Sequence, residues 1–425
     1  MNKGFYTIMA AQFFSSLADN AIFIAAIELL RTSGAPEWQR SALVPMFAFF
    51  YVVLAPFVGS LADRLPKGQI MFYANAIKVC GCLMMLFGSH PLMAYAVVGL
   101  GAAVYSPAKY GILTELLPAS KLVKANGWIE GLTIASIILG VLLGGQLIGP
   151  KLGNQLLGFD IPFIDTGIDT TPEAAIFFLI FVYLLAAIFN LRIPRTKAEL
   201  IPLPHRLFDL VADFRDCNRR LWNDKLGQIS LAATTVFWGA GGNLRYIVLA
   251  WAAAAMNYST TQASNLTGVV AIGTAAGAIW ASSRTRLDQA PSVIPLGIGI
   301  GLVVLAMNFI NSLWVAIPFL IALGAFGGYL VVPMNALLQH RGASLMGAGR
   351  SIAVQNFNEQ ACILALGFFY TGMTSLGFGA FGAITGFGLV VAGAMYIIKR
   401  WHDSNLRNHP EEVNRLLDIA RSEKH

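Results

Sequence analysis

The chain has 425 residues, of which 56% are hydrophobic and only 12% charged, with a formal net charge of +7. Soluble domains carry about 25% charged residues, so this composition excludes an ordinary water-soluble domain and points to lipid. The positive charge alone would suit a nucleic-acid partner, but its placement along the chain gives it another meaning.

A helix needs about 20 apolar residues to cross a hydrocarbon core about 30 Å thick. The sequence predicts twelve such helices, over 5–30, 41–62, 69–88, 91–113, 122–148, 173–192, 226–256, 262–283, 292–310, 313–338, 346–372 and 376–398. The first apolar run is too long for a signal peptide and contains Asp19, so it is expected to remain as the first helix. Between the second and third helices lies Gly59-Ser-Leu-Ala-Asp63-Arg64-Leu-Pro-Lys67-Gly68, read as a short loop that can form a charge-paired hinge at the water interface.

Arg64 and Lys67, Lys121 and Lys124, and Arg284 and Arg286 fall in alternate loops, together with the basic linker 193–225 and the basic tail. The opposite loops 256–262 and 309–313 hold no basic residue, and 149–172 sets one Lys against Asp160, Asp165 and Asp169. This positive-inside pattern predicts that both termini are cytoplasmic. The expected fold is therefore an all-α integral membrane protein with two pseudo-symmetric six-helix bundles. Its parts are a bundle over 1–192, a cytoplasmic linker over 193–225, a bundle over 226–400 and a cytoplasmic tail over 401–425. Within the linker, Leu207, Phe208, Leu210, Val211 and Phe214 alternate with charges, which suits either an amphipathic surface helix or a solvated tether. Cys80, Cys82, Cys217 and Cys362 are not placed for an extracellular disulfide, and no metal or other cofactor is expected.

Weak internal similarity supports the two halves. Phe13 to Asn20 is similar to Phe237 to Asn243, Tyr105-Ser-Pro107-Ala-Lys109 to Val331-Val-Pro333-Met-Asn335, and Glu130 and Glu359 each interrupt an apolar run. A transporter built of parallel repeats places its site at their interface near midplane.

Charges in apolar helices are costly, about 2.5–3.5 kcal/mol each on insertion scales. Asp19, Glu130, Lys109, Arg245 and Glu359 therefore need a reason to be there, either structural pairing, such as Asp19 with Arg245, or a watered cavity that binds a polar substrate. Gln12, Ser15, Ser16 and Asp19 recur at spacings of three and four and share one helical face. Asn20, Gln355 and Asn356 add polar neighbours, and the mixed signs suit a zwitterionic or anionic head group. Lys78 is expected to snorkel from a peripheral helix, and Glu28 and Arg31 to sit at the interface. Gly140, Gly144, Gly145, Gly273 and Gly277 fit small-xxx-small helix packing. The sequence has no P-loop, G-x-S-x-G or H-E-x-x-H, and Gly377 to Gly382 matches G-x-G-x-x-G without a βαβ context, so no enzyme is expected.

The string G-x-L-A-D-R-x-x-K-G at 59–68 resembles the loop 2–3 signature of the major facilitator superfamily. Ala11 to Ala21, Ala55 to Gly59, Tyr105 to Leu113, Ser120 to Gly127, Phe237 to Gly241, Leu244-Arg245, Pro333 to Gln339, and Ala353 to Asn356 with Glu359 resemble, more narrowly, the bacterial lysophospholipid transporters. That resemblance spans helices 1 to 11 and stops short of the tail. It implies a flippase of the bacterial inner membrane that moves lysophosphatidylethanolamine and lysophosphatidylglycerol from the outer to the inner leaflet. A cytoplasmic-side acyltransferase/acyl carrier protein synthetase would then re-acylate them. A monomer in membrane lipid is expected, with no nucleic-acid partner because the basic residues follow the topology; the resemblance carries the family's buried charges onto Asp19, Lys109, Arg245 and Glu359. The alternatives are a proton-coupled carrier of another small polar solute and a non-transporting scaffold.

Overall fold

A computed structural model describes residues 3–116, 119–158, 167–196, 206, 208–346 and 348–422. Among them the chain is all-helical. By contacts it divides into two compact units, one of 1–207 with 258–268 and one of 208–257 with 269–425. Eight helices among the described residues are long and apolar enough to cross a membrane.

The first unit is built around α1 (Lys3–Thr32), whose Ala18, Ala21, Ile22, Phe23 and Ala25 are wholly buried. Small residues let α6 (Ala119–Leu147) approach it. A Cβ at Gly140 would stand 2.8 Å from the Cβ of Asn20, and one at Gly144 2.8 Å from the carbonyl oxygen of Ala21. Such contacts lie below ordinary packing distance, so these positions must stay small. In the same unit, α4 (Lys67–Leu86), α5 (Pro91–Leu116) and α8 (Thr171–Leu191) carry the other residues of the polar interior. Thr170 and Glu173 form a capping box at the start of α8, where Pro172 fits because it has no N–H to lose.

The predicted segment 41–62 is not one helix. It divides into α2 (Glu37–Val53) and α3 (Ala55–Arg64), because Pro56 has no N–H for the α2 ladder and its ring collides with a carbonyl four residues back. The predicted loop 59–68 shrinks accordingly: Gly59 to Arg64 finish α3, and Lys67 and Gly68 open α4. Only Leu65 and Pro66 separate the two helices.

The connection 193–225 is not simply a tether. From Phe208 to Asn223 it forms α9, whose Cys217 and Leu221 are buried with Leu231, Leu338 and Val354 of the second unit. The buried face of α9 thus meets protein, while Phe208 at its start is 84% exposed. After Asp224 come α10 (Gly227–Met256) and α11 (Thr260–Arg284), then α12 (Ile294–Ala306), α13 (Leu313–Met346) and α14 (Ala348–Ser375). The chain ends with α15 (Ala380–Asn408) and α16 (Pro410–Ser422). A short α7 (Leu152–Leu157) precedes residues 159–166, which lie outside the described set.

Close approach also shapes the second unit. Gly324 and Gly328 of α13 face the backbone of α11 at Val270 and Thr274, and Gly273 and Gly277 face α13 in return at Ile321 and Ala325. At the start of α10, Arg341 holds Asp224 through two nitrogens, at 2.6 and 3.1 Å, and Asp224 caps the Gly227 N–H at 2.7 Å. Both partners of this ion pair are buried.

Candidate functional site

In the first unit a chain of polar contacts crosses four helices. Lys78 Nζ of α4 lies 2.7 Å from Asp19 Oδ2 of α1 and donates to Ser15 Oγ at 3.0 Å. Tyr183 of α8 donates to Asp19 Oδ1 at 2.8 Å, and Ser15 donates to Asn75 Oδ1 at 2.7 Å. The rings of Tyr105 and Tyr183 stand 5.0 and 5.6 Å from the Lys78 ammonium, within cation–π range.

Lys78 does not snorkel. It is 1% exposed and points into the unit. It lies eleven positions after Lys67 at the start of α4 and eight before Leu86 at its end, about 16 and 12 Å of helix rise, too deep for its stem to reach the interface. That depth was a sequence signal for an inward partner. Room for the stem comes from α5: a Cβ on Gly101 would stand 2.6 Å from Lys78 Cγ and 2.6 Å from the Ala74 carbonyl oxygen.

Ser15 and Asp19 use the shared polar face of α1, and Gln12 lies further along it. Gln12 Nε2 and Lys109 Nζ both reach Thr133 Oγ1 of α6 at 3.5 Å, the outer limit of a hydrogen bond. Lys109 is buried and makes further interactions. Asn20 donates back to the Ser16 carbonyl at 2.8 Å. Glu28 accepts from Arg31 at 2.6 Å and from Thr260 Oγ1 at 2.6 Å, so the carboxylate is tucked inside while Arg31 is half exposed.

In the second unit, Gln355 Nε2 of α14 donates to Asn335 Oδ1 of α13 at 2.5 Å and to Glu359 Oε1 at 2.8 Å. Gln355 and Glu359 are buried, one turn apart on the same helix face. Asn356 and Arg245 are half-buried. The helices carrying Arg245 and Glu359 are seated by glycine: a Cβ on Gly242 would meet Ile363 at 2.9 Å, and Asn243 Nδ2 donates to the Ile363 carbonyl at 3.1 Å. Asn335, Thr133, Asn75, Lys78 and Tyr183 are the polar partners that sequence reasoning did not single out as site residues.

At the α3–α4 turn, Lys67 Nζ donates to the Ala62 carbonyl at 2.7 Å, a cation on the carbonyl end of a helix. Gly68 admits the α8 backbone, since a Cβ there would lie 2.8 Å from the Asn190 oxygen. Arg64 is exposed. Gly59, Asp63 and Glu130 fall on helical backbone, but their side-chain surroundings lie outside the described set.

The sequence profile of the Major Facilitator Superfamily matches residues 8–365. A protein of Klebsiella pneumoniae subsp. pneumoniae named lysophospholipid transporter LplT is 38% identical over 401 residues, covering 94% of this chain and 96% of that one. A protein of the same name from Yersinia pestis is 38% identical over 378 residues, covering 89% and 88%. Among solved structures, a bacterial homologue of the human lysosomal transporter Spinster, in an inward-facing and occupied conformation, superposes with a TM-score of 0.66. It shares 16% identity over 96% of this chain and 97% of that chain, a likeness of fold.

Proposed function

The chain belongs to the lysophospholipid transporter family of the major facilitator superfamily, and on that premise we propose that it carries lysophospholipids across the bacterial inner membrane. It is a transporter, not an enzyme. Its cargo is lysophosphatidylethanolamine and lysophosphatidylglycerol, moved from the outer to the inner leaflet by alternating access of two six-helix bundles, 1–192 and 226–400. The twelve spans are read from the apolar runs, and the cytoplasmic termini from the positive-inside pattern. The protein acts as a monomer, and a cytoplasmic-side acyltransferase/acyl carrier protein synthetase consumes what it delivers. The observation that carries this reading is the end-to-end likeness to the Klebsiella pneumoniae transporter.

Physical chemistry fits the cargo. Each CH2 taken out of apolar surroundings costs about 0.8 kcal/mol, so a tail of about sixteen carbons would lose about 13 kcal/mol if it left the lipid. The tail therefore stays in lipid while the head needs a polar path, and membrane helices with buried cations and carboxylates supply one. Lys109 and Arg245 suit the phosphate, Arg245 through its bidentate fork. Glu359, held by Gln355, suits an ammonium. The motif at Gly59, Asp63, Arg64, Lys67 and Gly68 sets the α3–α4 turn on which the first bundle pivots.

The test is uptake of labelled lysophosphatidylethanolamine into spheroplasts lacking their own transporter, with and without a protonophore. Uptake that survives the protonophore and fails in Arg245→Ala and Glu359→Gln supports the reading. Uptake that collapses with the proton gradient favours a proton-coupled carrier instead, and no uptake by well-expressed protein sinks the cargo assignment.

A further inference from the structure

The charge of Asp19 is already answered inside the protein. Lys78 stands against one carboxylate oxygen at 2.7 Å, and Tyr183 donates to the other at 2.8 Å. The two ions are unequally placed: Lys78 is 1% exposed and Asp19 18%, so the carboxylate is the outward edge of the cluster and the cation lies behind it. Ser15, the two tyrosine rings and the space opened by Gly101 fix the ammonium in that position.

A lone carboxylate facing a ligand would attract an ammonium and repel a phosphate. At an effective dielectric of about 20, one unit charge several ångströms away changes affinity by about tenfold or more. A contact ion pair leaves only a dipole, whose field falls off faster with distance.

Resting on the lysolipid reading above, we infer that Lys78 is a specificity-determining residue. By cancelling Asp19 from behind, it makes the exposed carboxylate edge a nearly neutral hydrogen-bond acceptor, so zwitterionic and net-anionic lysolipid heads are accepted alike. Lysophosphatidylethanolamine is net neutral and lysophosphatidylglycerol carries one negative charge, which makes the pair of lipids a direct probe.

The experiment measures KM and maximal flux for each lipid separately, per monodisperse transporter, in Lys78→Met, Asp19→Asn, the double variant and Lys78→Arg. Lys78→Met leaves a bare carboxylate, and the KM ratio of the glycerol to the ethanolamine lipid rises, by about tenfold. Asp19→Asn leaves a bare ammonium, and the ratio falls. The double variant and Lys78→Arg return it to the wild-type value. A pair that merely fastens α1 to α4 lowers flux for both lipids without moving the ratio, and that result overturns the inference. Should Lys78→Met fail to accumulate, Asp19→Asn decides alone, since an unchanged or rising ratio there contradicts the assignment. Wild type that moves neither lipid removes the proposed cargo itself, a failure visible before any variant is compared.

Discussion

In the first unit the partly buried carboxylate of Asp19 meets a cation, Lys78, while in the second unit the carboxylate of Glu359 accepts from an amide, Gln355. Asp19 lies on α1 and Glu359 on α14, so the comparison is of local surroundings rather than of repeat-related positions. Lys109 and Asn335 occupy matching places after a helix proline, and each turns to the following helix, Lys109 toward Thr133 and Asn335 toward Gln355. Both contacts run from the helix that carries the proline to the next one, the first made by a cation and the second by an amide. Asp19 is held by a cation and a phenol, and Glu359 has an amide among its partners. Removing the lysine leaves the Asp19 carboxylate without its cation, whereas removing the amide takes one contact from Glu359, which keeps others.

Stability measurements can break that comparison. Lys78→Met should cost about 3–5 kcal/mol, since it leaves Asp19 without its cation, read as a large fall in the thermal midpoint of the purified protein. Gly101→Leu should follow at about 3 kcal/mol, because its side chain must displace the Lys78 stem and the α4 backbone. If the smaller Gly101→Ala is tolerated without loss, the stem is not held as described. Gln355→Leu should cost about 1–3 kcal/mol, from the amide contacts to Asn335 and Glu359 that it removes. A loss equal to that of Lys78→Met would erase the contrast between the units. Thr170→Ala, at the capping box far from both clusters, should cost about 1 kcal/mol and leave flux unchanged.

A further contrast lies outside the membrane helices. Burial, with Asp213 nearby, pushes the Cys217 thiol above its ordinary range, and little thiolate is present near neutral pH. Maleimide should therefore label Cys217 slowly in folded protein, with the rate still rising in alkaline buffer. Rapid labelling at neutral pH would show that α9 does not stay packed on Leu231, Leu338 and Val354.

The sequence showed some of this plainly. The long apolar runs and the polar face of α1 were legible because period and composition are local properties. Asp19, Lys109 and Glu359 stood out because charge in an apolar run needs a reason. The inward direction of Lys78 was signalled by its depth in α4, but the room for its stem was not legible, since it depends on a glycine 23 residues away, Gly101. The break at Leu54 was signalled by Pro56 but masked by the apolar residues around it. The buried face of α9 could be seen as amphipathic, but what it packs on is set in part by Leu338 and Val354, on helices more than 100 residues later.

The most direct test of the account is flipping by the purified chain in liposomes. Fluorescent lysophosphatidylethanolamine is loaded in one leaflet, and its loss of accessibility to an external quencher is followed for wild type, Arg245→Ala and Glu359→Gln. The account predicts rapid movement with wild type and strongly reduced movement with both variants at equal protein. Equal rates in all three, or no movement above protein-free liposomes, would contradict it.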